Sequence, residues 1–314
     1  VAAEKRKVII TCAVTGAPRA AAMTARPPAT SEEIAEQAIE SARAGAAILH
    51  LHARAPHEGG AAHARGIVDR LVPRIAAETD AIISITTGGD PTATLEARLA
   101  YPLKVRPELC SLSLASASLP AAAEGAGPDR NFTAEPRLGE RPETTRRDET
   151  LDDVRRILAR FADAPGTRFA FECHEVGHLH GLRRLMDEGL VEGPVFLQYG
   201  LGAGLGRGGE PESLSLLCAT ADRLFGRENH EFSVFGAGRQ QMSVLTMGAI
   251  LGGHVRVGLD DGSSVSRGPL AMSCSAQVLK VRRILDELSL AIASPAEARE
   301  ILQTKGAAKV NFDG

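Results

Sequence analysis

His50 and His52 stand two residues apart at the end of the apolar run Ala46–Leu51. On a strand, alternate side chains share a face, so the two imidazoles point the same way. Two imidazoles on one face can grip one divalent cation, and Zn2+ is the usual guest of nitrogen ligands. Histidines packed in a core or at a sheet edge would show the same spacing. A second chemical stretch is His254–Asp261, where Arg256 interrupts an apolar run. A buried guanidinium needs an anionic partner. Asp260 and Asp261 offer that partner and a third metal ligand, one carboxylate facing the metal and the other the arginine. A purely structural ion pair is the alternative.

Other groups follow the same pattern. Thr86-Thr87-Gly88-Gly89 closes an apolar run, and its backbone N–H groups could cradle an anion at the next helix start. It could equally be a plain βα turn. Ser111 and Ser113 lie on another run, and Glu172, His174 and His178 follow a third. Gln198 precedes a glycine cluster, Gly200 to Gly209, that matches neither a Walker motif nor a strict GxGxxG. That cluster reads as a flexible loop or as a close approach to a large acyl carrier.

These residues need elements to hold them. Apolar, β-branched runs at about 8–15, 46–52, 81–86, 109–114, 168–173, 195–199, 231–235 and 254–259 read as buried strands. Helical patterns fall between them, at about 30–44, 64–78, 92–100, 151–162, 179–188, 211–225 and 239–251, with another at 269–288 and a short one after Ser294. Thr30 at a cap position and Gly45 at a stop bracket the first helix. Strict alternation implies a parallel sheet, and eight units favour a closed α/β (β/α)8 TIM barrel with long βα loops over an open sheet. One domain over 1–314 is expected, with an irregular insertion at about 115–148. In such a barrel reactive groups sit at the C-terminal ends of strands, where the residues above fall.

Composition narrows the function. The 314 residues carry a net charge of −3, with 4% aromatics and no Trp. That argues against a nucleic-acid binder or a membrane-surface protein. Five scattered cysteines without a CxxC pair suit a reducing compartment, and no apolar run could span a bilayer. A cytoplasmic protein is expected.

The ordered stretches Ile10–Ala17, Gly45–Arg54, Thr86–Gly89, Pro107–Leu112, Phe171–His178, Gly236–Gln240 and Gly252–Leu259 resemble the β-keto acid cleavage enzyme family over nearly the whole chain. The best-known activity of that family is 3-keto-5-aminohexanoate cleavage. The resemblance implies a (β/α)8 barrel, a homotetramer and one Zn2+. It implies condensation of a β-keto acid with acetyl-CoA, through a Zn-stabilised enolate and a retro-Claisen step, giving acetoacetate and the CoA ester of the remaining acid. Carried over residue by residue, it makes His50, His52 and Asp260 the zinc ligands. Asp261 becomes the catalytic base with Arg256 as its partner, and Thr86 and Ser111 hold the substrate carboxylate, beside Gly88 and Gly89.

Three departures stand out. Asp260 replaces a family Glu and is one methylene shorter. Pro18 stands where the aminohexanoate enzyme has an acid that grips the substrate amine, which argues against an amino-substituted acid. The loops 17–28, 113–120 and 262–267 look unlike typical members. The leading expectation is an active zinc-dependent enzyme of this family. A diverged barrel that binds a ligand without this catalysis, and another metal-dependent barrel such as an HxH hydrolase, are the alternatives.

Overall fold

Eight parallel strands close on themselves. They are β1 (Ile10–Ala13), β2 (Ile48–Leu51), β3 (Ile82–Thr86), β4 (Leu109–Ser113), β5 (Arg168–Cys173), β6 (Val195–Gly202), β7 (His230–Ala237) and β8 (His254–Val257). The computed structural model describes residues 6–14, 30–52, 61–88, 93–114, 150–162, 166–202, 208–262, 271 and 273–312. Pro18, Gly89, the segment 115–148 and part of the glycine cluster lie outside them. Consecutive strands are neighbours throughout, and β8 returns to β1 through Thr11 and Arg256.

The helices among the described residues are α1 (Ser31–Ala44), α2 (Ala61–Glu78), α3 (Leu95–Val105), α4 (Leu151–Phe161) and α5 (Val176–Asp187). Then follow α6 (Pro211–Phe225), α7 (Gln241–Ile250), α8 (Cys274–Glu287) and α9 (Pro295–Leu302). Local chemistry sets their ends. Thr30, Thr150 and Ser294 form capping boxes with Glu33, Asp153 and Glu297. Gly45 ends α1 in the left-handed region at φ 114°.

Several bounds differ from expectation. α3 begins later than 92 and runs past 100, because Thr94 is its cap and Pro102 is accommodated inside it among the buried Tyr101 and Val105. The first expected strand is split: Lys7–Val8 pairs with Ala291–Ile292, and only Ile10–Ala13 enters the barrel. Two-residue pairing across the chain leaves no periodicity to read. β6 continues through Gly200 and Gly202, so these glycines belong to the sheet. A Cβ on Gly200 would come within 2.5 Å of Phe235 and 2.6 Å of His174.

Alternation on the strands separates two environments. Cys12, Leu49, Ile83, Cys110, Phe171, Leu197, Val234 and Val255 face the helices in the two outer apolar clusters. The opposite parity faces the barrel axis and is layered. Its base is apolar, with Ile9, Ile48, Ile82, Leu109, Ala170 and Phe196 packed against Ala298 and Leu302 of α9. Thr11, Ser84, Ser111, Gln198, Ser233 and Arg256 share that inward parity further along the strands and are buried.

An ion pair ties α9 across the base. Glu108 is 2% exposed and accepts from Arg299 Nε (3.0 and 3.2 Å), Arg299 Nη2 (2.9 Å) and Thr304 Oγ1 (2.7 Å). Removing one partner strands a buried charge. Arg299→Met should therefore cost about 3–5 kcal/mol, measured by denaturant unfolding. The double variant Glu108→Gln/Arg299→Met should recover much of the loss, and an unchanged midpoint in Arg299→Met would refute the assignment.

Candidate active site

The residues expected to do chemistry meet at the C-terminal ends of β2, β5, β6 and β8. Arg256 enters from β8 and is 4% exposed. Its Nε and Nη2 donate to the two oxygens of Asp261, each at 2.9 Å, in a bidentate fork. Nη1 donates to Glu172 Oε1 at 2.9 Å and Gln198 Oε1 at 3.3 Å, and Nη2 also reaches Asp260 Oδ2 at 3.3 Å. The guanidinium carbon sits 4.4 Å from the Phe235 ring centroid, within reach of a cation–π attraction. Burial alone would lower the arginine pKa, but Asp261, Glu172 and Asp260 outweigh it and raise it.

His50 and His52 converge as their spacing requires, ring centroids 5.1 Å apart. His52 Nε2 lies 2.9 Å from Asp260 Oδ2. His50 Nδ1 lies 3.4 Å from Ser84 Oγ, its register neighbour on β3. His50, His52 and Asp260 each present one donor atom, all within 4.8 Å of one another. The shorter Asp260 therefore reaches the histidine pair.

Local backbone holds the two aspartates. The turn 258–262 is closed by N–H donations from Asp261 and Gly262 to the Gly258 carbonyl. Gln241 Nε2 donates to the same carbonyl at 3.1 Å, and the Gly238 N–H donates to the Asp261 carbonyl at 2.9 Å. Gly258 runs against β1: a Cβ there would lie 2.0 Å from the Ala13 carbonyl oxygen. The N-terminal region of α7 is thus the backing of the Asp261 turn.

Charge explains the protonation pattern. Three carboxyl groups surround one guanidinium, so the ionised cluster is two positive charges short. Burial, reinforced by Asp260, pushes Asp261 up to about 7 against the pull of Arg256. Burial also opposes charge on His52, but Asp260 outweighs it through its charge and hydrogen bond, and the pKa rises. Asp260 itself is held well below the usual carboxylate range: burial opposes this, but His52 and Arg256 prevail. His50 is driven well below its ordinary value by burial, Arg256 and His52. Two groups therefore favour a proton, which supplies the missing charge. A divalent cation among His50, His52 and Asp260 would supply it equally, and two imidazole nitrogens with one carboxylate suit Zn2+. The residues fit a metal.

On β3 and β4, between β2 and β5, Thr86 and Ser111 are register neighbours, 6% and 3% exposed. Thr86 Oγ1 accepts the Gly88 N–H at 3.0 Å. Thr87 turns away, its hydroxyl donating to the Ser111 carbonyl at 2.8 Å. Glu172 and Gln198 had no assigned role in the sequence, yet both hold Arg256. Their strand parity was the available signal. Ser84 and Phe235 carried none. His178 lies in the first turn of α5, where its Nδ1 accepts the His174 N–H at 3.0 Å, and burial with the His174 charge pushes it down to about 4.

A closed parallel barrel with this cluster at the C-terminal ends of its strands belongs to the (β/α)8 enzymes, whose chemistry sits at that end. The beta-keto acid cleavage enzyme model matches residues 7–304, and the chain belongs to that family. The 3,5-dioxohexanoate:acetyl-CoA acetone transferase of Paraburkholderia graminis is 41% identical over 99% of this chain and 100% of its own. The 3-dehydrocarnitine:acetyl-CoA trimethylamine transferase of Rhizobium meliloti is 30% identical over 95% and 97%. Among solved structures, apo ObcA matches with a TM-score of 0.67 at 20% identity, over 88% of this chain and 65% of that one, which supports the fold.

Calorimetry should find one Zn2+ per chain, weakened at least about 100-fold in His50→Ala and Asp260→Asn and little changed in Asp261→Asn. Because the metal displaces the proton that His52 favours, affinity should fall as pH drops below the imidazole range. Affinity independent of pH, or untouched by His50→Ala, would remove the metal from this cluster.

Proposed function

We propose that this chain condenses a β-keto acid with acetyl-CoA to give acetoacetate and the CoA ester of the remaining acid, using one Zn2+ held by His50, His52 and Asp260. The carrying observation is the meeting of that donor set with the Arg256–Asp261 pair in one buried cluster, within a chain of this family. A bound Zn2+ would act as a Lewis acid on the keto oxygen. Thr86 and Ser111 hold the substrate carboxylate through their hydroxyls, with the Gly88 backbone beside them. Asp261 takes a proton from the carbon between carboxylate and ketone. Burial and the neighbouring Asp260 raise its pKa against the pull of Arg256, which strengthens it as a base. Arg256 fixes its two oxygens and so aims it.

The carbanion then attacks the acetyl carbonyl, and the CoA sulfur leaves. The sulfur adds to the keto carbon, the carbon–carbon bond breaks in a retro-Claisen step, and Asp261 returns its proton to acetoacetate. The identity to the P. graminis transferase makes 3,5-dioxohexanoate the first acid to test. By this stoichiometry it would yield acetoacetyl-CoA. Pro18 is a proline where an amine-gripping acid would be needed, which favours a substrate without an amino group.

The rest of the reading rests on sequence pattern and composition and, for the homotetramer, on the family resemblance. Residues 1–314 form one barrel domain, 115–148 are an insertion in it, and the enzyme works as a cytoplasmic homotetramer. Five free cysteines suit that compartment, and no helix among the described residues is long and apolar enough to cross a membrane.

The test is mass detection of acetoacetate and a new acyl-CoA from acetyl-CoA and a panel of β-keto acids. Turnover is expected with the zinc-loaded protein. Asp261→Asn should lose at least about 100-fold in kcat while zinc stays bound. Zinc binding without turnover on any acid would sink the reading.

A further inference from the structure

His174 follows β5 on the row that points into the barrel, two residues after Glu172 and four after Ala170. Its ring occupies the slot left by Gly200, where any side chain would collide with it. Its Nδ1 lies 3.1 Å from the Gly200 carbonyl oxygen. A carbonyl only accepts, so Nδ1 carries the hydrogen and donates it. That bond fixes both the ring plane and the tautomer, and leaves Nε2 as the nitrogen that gains or loses a proton. The edge of Phe235, with centroids 6.2 Å apart, walls one side of the ring. Among the described residues no group takes Nε2. An oriented imidazole with one nitrogen anchored on backbone and the other uncommitted is built for proton exchange rather than for packing.

Its place in the mouth says with what. In the reading above, the β-keto acid is held from β2, β3, β4 and β8. The arc from β5 to β7 is left for the thioester. Glu172, on the same inward row as His174, bonds to the Arg256 that aims Asp261. The imidazole therefore stands on the acyl side of the base.

We propose that His174 is the acid and base for the CoA sulfur, an inference that rests on the acyl-transfer reading. As the substrate carbon bonds to the acetyl carbon, the carbon–sulfur bond breaks and its electron pair goes to sulfur. Imidazolium Nε2 gives that sulfur a proton, leaving neutral imidazole and a thiol. When the sulfur adds to the keto carbon, the proton returns to Nε2. The carbon–carbon bond then breaks, its electron pair stays on the acetoacetate carbon, and Asp261 returns the proton that it took. The Gly200 carbonyl accepts from Nδ1 in both states, so the ring does not turn during the cycle.

The experiment separates the two halves. Zinc-loaded enzyme in D2O, with β-keto acid but no acetyl-CoA, should exchange the protons between carboxylate and ketone through Asp261. Adding acetyl-CoA measures acyl transfer. In His174→Phe and His174→Gln, exchange should stay at the wild-type rate while transfer falls about 100-fold or more. The Gln variant keeps hydrogen bonding but cannot relay a proton, so its failure distinguishes proton transfer from contact. Transfer unchanged in both variants, or exchange and transfer falling together, would overturn the proposal. No exchange in the wild type would instead overturn the reading of the site, and the proposal with it.

Discussion

Arg256 is the constraint around which the site is built. A guanidinium inside a barrel is tolerable only with full hydrogen bonding and compensating charge. Asp261, Glu172, Asp260 and Gln198 provide that from three strands or their ends. Each of those side chains is thereby fixed in orientation, and the metal-ligand candidates inherit their geometry from it. Asp260 illustrates the sharing: its Oδ2 faces both Arg256 and His52. The cluster is rigid because no member could move without leaving another buried charge short of a partner.

The barrel divides its labour along its axis. Its apolar base and α9 supply close packing, and the Glu108–Arg299 pair fastens that end. Most inward polar side chains stand further along the strands, while at the base His254 is buried beside Phe196 and accepts the Ile9 N–H. This arrangement lets the mouth hold an over-acidic cluster that destabilises it locally, since the cost is borne by a base that takes no part in the chemistry.

Much of this was legible in the sequence, for reasons that differ by residue. The strands announced themselves as β-branched apolar runs. HxH parity alone placed both imidazoles on one face, and an arginine inside an apolar run forced the search for its carboxylates. Glu172 and Gln198 were visible as strand ends, but their bonds to Arg256 depend on the closure of the barrel, which brings β5 and β6 across from β8. Gly200 and Gly202 looked like loop because glycine weakens a strand. They fit in the strand because Phe235 and His174 fill the space that a side chain on Gly200 would take, and Gln240 and the Ala237 backbone crowd Gly202. The pairing of Lys7–Val8 with Ala291–Ile292 has no local signature at all.

The two halves of the candidate metal-ligand set come from opposite ends of the fold in time as well as in space. His52 and Asp260 touch across 208 residues of chain. During synthesis the histidines emerge early, but their carboxylate follows only with the last strand, which must pair with the first to close the barrel. A nascent chain therefore carries two imidazoles and no complete site. Capture of a metal by these residues would be tied to the slow, long-range step of closure, so an ion held by the full donor set would mark a barrel that has finished folding.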